Sequence, residues 1–62
     1  MSVKYELSFK VKGGKWKVFD TYSCLSDPDI KKYYKLLSGM RYNDGVRVVK
    51  IELKRELVNF NI

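Results

Sequence analysis

Histidine is absent from this sequence, and cysteine, proline and tryptophan occur once each. Each shortage excludes something. Without histidine the chain lacks the one side chain whose ordinary pKa suits acid–base work near neutrality. Cys24 has no imidazole beside it to generate a thiolate nucleophile, so it is expected to pack as a small apolar group. One cysteine and no histidine cannot assemble a usual zinc site. A lone cysteine forms no internal disulfide and gives no sign of an oxidising compartment. Six of the seven acids have ordinary structural places. Asp27 and Asp29 stand at a helix start, Asp44 sits in a turn, and Glu6, Glu52 and Glu56 alternate with lysines along strands. The expectation is a non-enzymatic protein with no catalytic residue, cofactor, metal or small-molecule substrate.

Long apolar runs are missing too. No stretch approaches the roughly 20 residues needed to span a bilayer, and none has the pattern of a signal peptide. The expectation is a soluble, cytoplasmic protein without membrane association. Repeats, low-complexity tracts and linkers are likewise absent. At 62 residues the chain is expected to form one domain over 1–62. That is near the lower limit for folding without disulfides or metal, because so short a chain buries only about 60% of its unfolded surface.

What the sequence does have is aromatic side chains and lysine. Five Tyr, three Phe and one Trp supply large buried areas. Thirteen Lys and Arg stand against seven Asp and Glu, a formal net charge of +6, which favours an anionic partner such as nucleic acid. Lysine-rich surfaces also keep small proteins soluble, so charge alone does not decide.

Val3, Tyr5, Leu7, Phe9 and Val11 alternate with Lys4, Glu6, Ser8, Lys10 and Lys12, the period of a half-buried strand. Gly13-Gly14 supplies the residues of a two-residue hairpin turn. Such a turn predicts Val11 opposite Trp16, Phe9 opposite Val18, Tyr5 opposite Tyr22 and Val3 opposite Cys24, all on one face. Leu7 would meet Asp20, the one misfit. Either a bulge near Phe19-Asp20 turns the acid outward, or Asp20 is an inward charge guarding an edge strand. Ser26-Asp27-Pro28-Asp29 then opens a helix by capping, by proline at the first position and by an acid at the positive end. Ser26 with Asp29 also matches a capping box weakly. Ile30, Tyr33, Tyr34 and Leu37 recur at helical spacing, with Leu36 and Met40 at the margin, and Gly39 closes the helix. Asn43-Asp44-Gly45 reads as a turn. In the third strand Val49, Ile51 and Leu53 alternate out of phase with Val46 and Val48, which predicts a bulge or late start near Val48-Val49.

The predicted fold is therefore α+β, a small two-layer ββαβ unit. A three-stranded antiparallel sheet of order 2-1-3 carries one helix on one face, with the second and third strands as edges. Strands are placed at about 3–12, 15–24 and 46–56 and the helix at about 28–38.

Two functional readings follow. The predicted register sets Lys10 against Lys17 and Lys12 against Lys15 on the face away from the helix, with Phe19 beside them. Like charges opposed across a ladder are destabilising, so the cluster calls for a purpose beyond solvation. Lysines around an exposed ring suit nucleic acid, as a single-strand platform or as a β-ribbon in a groove. Against this stands a plainer expectation, that the lysine stems cover apolar surface, with Phe19 resting on them or pointing inward across a bulge. The second reading is a protein-interaction module. Leu57, Val58, Phe60 and Ile62 make an unusually apolar tail, expected to pack on its own domain or on a partner chain, a homodimer included. By size alone, the chain compares with small regulators or inhibitors encoded by mobile elements.

Overall fold

The computed structural model describes residues 3–60. Four strands and one helix follow in the order β1 (Lys4–Val11), β2 (Trp16–Tyr22), α1 (Pro28–Ser38), β3 (Asn43–Ile51) and β4 (Arg55–Val58). The sheet is antiparallel with order β2-β1-β3-β4, so the α+β class holds but the expected three strands are four. β3 is interior, and the edges are β2 and β4. The supposed end of the third strand is a separate strand, folded back through Glu52–Lys54 so that Val58 pairs with Val48.

The helix forms where its caps place it. Asp27 is the N-cap, its Oδ1 accepting the Asp29 backbone N–H at 3.0 Å, and Pro28 follows in the first turn. Ser26 is therefore not the cap; its hydroxyl lies 3.4 Å from Cys24 Sγ. Gly39 closes the other end. Asn43 ties the return segment to the helix by donating from Nδ2 to the Leu37 carbonyl at 2.9 Å. Ile30 and Leu37 are buried and Tyr33 and Tyr34 half-buried, while Lys31, Lys32 and Lys35 face water.

Leu7, Tyr22, Ile30, Leu37 and Val48 form the core, with Tyr5, Phe9, Tyr33, Tyr34, Val46, Val58 and Phe60 packed around it. Removing Leu7, Ile30 or Val48 from water contributes about 1.5–3 kcal/mol each. No break occurs at Val48-Val49. Both residues are buried, one on each face, because an interior strand has two faces to fill.

The hairpin departs from the expected register in its outer half. Tyr5 meets Tyr22, Glu6 meets Thr21 and Leu7 meets Asp20, but Ser8 then meets Val18, Phe9 meets Lys17 and Lys10 meets Trp16. Phe19 is the extra residue, a bulge at the position the Leu7–Asp20 misfit pointed to. Asp20 is exposed, its Oδ1 accepting the Thr21 N–H at 2.8 Å. With one residue absorbed there, the chain reverses earlier than a Gly13-Gly14 turn would. The turn runs Val11 to Gly14, closed by the Gly14 N–H on the Val11 carbonyl at 2.7 Å, and Gly13 takes the positive φ of 76° at its third position. A second bulge at Asp44, in place of the expected Asn43–Gly45 turn, lets Lys10 meet Gly45 and Val11 meet Asn43. β2 ends at Tyr22, so Cys24 lies beyond the pairing that would have set it opposite Val3 and is exposed.

Val58 and Phe60 pack against the chain's own core, whereas Leu57 is 72% exposed and Ile62 lies outside the described residues. Phe60→Ala is expected to lower unfolding free energy by about 1–3 kcal/mol and Leu57→Ala by under about 0.5 kcal/mol, read from urea midpoints. Equal losses would contradict this packing.

Candidate nucleic-acid interface

The helix covers one face of the sheet. On the other face the register aligns Trp16, Lys10 and Gly45 in one row, Val18, Ser8 and Arg47 in the next, and Thr21, Glu6, Val49 and Leu57 in a third. A fourth row holds Lys4, Ile51 and Arg55. Lys4, Lys10, Arg47 and Arg55 thus share this face with Glu6, and Asp44 lies at its rim.

Its centre is Trp16. The indole lies over Gly45, where an added Cβ would stand 3.1 Å from Cη2. The Arg47 guanidinium stacks on the ring, its Cζ 4.1 Å from the centroid, within cation–π range. Ser8, between Val18 and Arg47 in the next row, is buried. Arg47 Nε is enclosed without a hydrogen-bond partner among the described residues, while Trp16 remains 39% exposed. Lys10 holds Asp44 at 3.6 Å, and Arg55 holds Glu6 at 2.6 Å.

The bulge divides the expected lysine cluster. Lys10 stays on the open face, but Lys17, opposite Phe9, falls on the helix side. Lys12 and Lys15 are exposed at the turn and do not oppose each other, since the ladder stops at Lys10–Trp16. Phe19 is not beside the lysines on the open face. Its ring lies 5.2 Å from that of Tyr33 and 6.5 Å from that of Phe9, on the helix side. Trp16 and Val18 take the open face instead of the core positions the simple register gave them. The sequence signals for this site are a glycine inside a strand and the one tryptophan, and each has an ordinary structural meaning as well, a turn for Gly45 and a core ring for Trp16.

No family model, curated protein or solved structure matches this chain. The site therefore rests on its own geometry. Among the described residues no group of three or more metal-ligating side chains occurs, and no helix is long and apolar enough to cross a membrane. The hollow at the β3–β4 turn is lined by Lys50, Glu52, Leu53, Lys54 and Glu56, and Lys50 and Glu52 pair with each other at 3.8 Å.

Negative charge gathers elsewhere. Burial raises the Tyr22 phenol above its ordinary value, and Asp20, Asp29 and Asp27 add to the effect. Its hydroxyl is enclosed with no hydrogen-bond partner among the described residues. Asp20, Asp27 and Asp29 thus stand around the helix start and the end of β2, whereas Glu6 and Asp44 pair with Arg55 and Lys10 at the open face.

Because the folded chain favours the neutral phenol, this contribution is intact below about pH 10 and is lost as pH rises through the raised value. Tyr22→Phe is expected to lose stability less steeply than the parent chain above about pH 10; identical slopes would contradict the raised value. At the platform, Gly45→Val is expected to push the indole off its seat. That shifts Trp16 emission to longer wavelength and costs about 1–3 kcal/mol of stability. Unchanged emission would refute the seating.

Proposed function

We propose that this protein is a small, non-enzymatic nucleic-acid-binding module, and that it binds through the open sheet face and the adjoining hairpin turn. The observation that carries this reading is the Arg47–Trp16 stack on an uncovered face, with Lys10 beside it and Lys12 and Lys15 exposed at the turn. An aromatic surface flanked by cations offers bases a stacking partner and phosphates a counter-charge. The net charge of +6 adds long-range attraction.

A second reading has its own support. β4 is an open edge with Leu57 exposed on it, which suits strand addition by a protein partner or a second copy. Molecular mass in solution across a concentration series tests the homodimer: a dimer that Leu57→Lys dissociates favours it, and a strict monomer counts against it.

The nucleic-acid reading is tested by titrating labelled single strands and duplexes at several salt concentrations. Three neutralised phosphates, one for each of Lys10, Lys12 and Lys15, give log K falling with log salt at a slope of about −2 for a single strand. Lys10→Glu, Lys12→Glu and Lys15→Glu combined should abolish binding with the fold intact. Lys17→Glu, on the helix side, should weaken it far less. Absence of binding to either nucleic acid at low salt would overturn the proposal.

A further inference from the structure

Building on that reading, we infer that the ligand is single-stranded nucleic acid, with an unpaired base stacked on the Trp16–Arg47 platform and its neighbouring phosphates on Lys10, Lys12 and Lys15. Two routes into a duplex groove are closed by the architecture. A major groove about 12 Å wide admits a helix or a two-stranded ribbon. The β1–β2 hairpin is not a free ribbon, because β3 pairs with β1 along its whole length, from Lys4–Ile51 to Val11–Asn43. The Lys12 N–H extends that connection into the turn by donating to the Tyr42 carbonyl at 2.7 Å. The tip is therefore three strands wide, with backbones spanning about 10 Å before side chains are added.

The helix is the other route. Recognition helices commonly present their N-terminal residues to base edges. Here that end carries Asp27 and Asp29, with Asp20 close enough to act on the same tyrosine. Phosphate would be repelled there. What remains is the open face, and a sheet face carrying an indole meets a base only when the base is unpaired and its flat side is free. The guanidinium seated on the ring serves the same geometry, because a planar cation stacks on a base as well as pairing with phosphate. Lys4, Lys10, Arg47 and Arg55 outnumber Glu6 and the rim acid Asp44, and Lys12 and Lys15 are exposed at the turn, so charge complementarity selects a polyanion.

Trp16 is the one tryptophan in the chain, so its fluorescence reports on the site directly. The experiment titrates the full chain with a short oligothymidylate, a short oligouridylate and a blunt duplex of matched charge, following Trp16 emission together with anisotropy of the labelled oligonucleotide. The single strands are expected to bind at least tenfold more tightly than the duplex and to quench Trp16. Trp16→Ala is expected to weaken single-strand binding roughly tenfold or more. Trp16→Tyr, which keeps a ring, should retain most of it, so a fold lost in the alanine variant does not leave the test open. Duplex binding as tight as single-strand binding, with Trp16 emission unmoved, would overturn this inference and leave the broader nucleic-acid reading standing. No binding to any of the three at low salt would overturn both.

Discussion

The rest of the structure depends on the bulge at Phe19. β2 carries one residue more than β1 can match between Leu7–Asp20 and Ser8–Val18. Because side chains alternate with a period of two, absorbing a single residue exchanges the faces for everything nearer the tip. Phe19 turns toward the helix and meets Phe9 and Tyr33. Trp16 and Val18 turn away from it, Lys17 moves to the helix side, and the turn slides to Val11–Gly14. One inserted residue thus sets a partly exposed aromatic ring beside Phe9 and Tyr33 on the helix side and places the indole on the open face.

The same sheet closes its core by adding a strand. β3 has neighbours on both sides and apolar side chains on both faces, with Val46 and Val48 under the helix and Val49 on the open side. β4 then shields the far edge and brings Val58 and Phe60 to the core. For a chain of this size that extra burial matters, since marginal domains have little surplus stability. The face left without a helix is not dry. Arg47 lies along Trp16, and Arg55 reaches Glu6, so guanidinium groups cover apolar surface while leaving charge at the boundary with water.

Much of the architecture was legible in the sequence. The helix was readable because its capping residues and its apolar spacing agree over the same eleven residues, and its observed bounds are the expected ones. The 2-1-3 order was readable because an antiparallel third strand has to lie beside the first. The tip register was not. A bulge and a two-residue glycine turn both fit a run containing Gly13-Gly14, and the choice depends on Phe19 packing against Tyr33, a contact distant in sequence. β4 was hidden because its turn, Glu52–Lys54, contains no glycine, proline or asparagine, and Leu53 continues the alternation of Val49 and Ile51. Of the site, Lys10, Lys12 and Lys15 were nameable as cations near the tip. The Trp16–Arg47–Gly45 arrangement depends on pairings across three strands and became visible only with the register.

Cross-strand proton contacts in the hairpin, measured by NMR, test the central claim most directly. The bulged register predicts that Phe9 pairs with Lys17 and Lys10 with Trp16, with Phe19 showing ring contacts to Tyr33 and Phe9 but no backbone pairing partner on β1. Pairing of Phe9 with Val18 and of Val11 with Trp16 would contradict it and return the indole to the core.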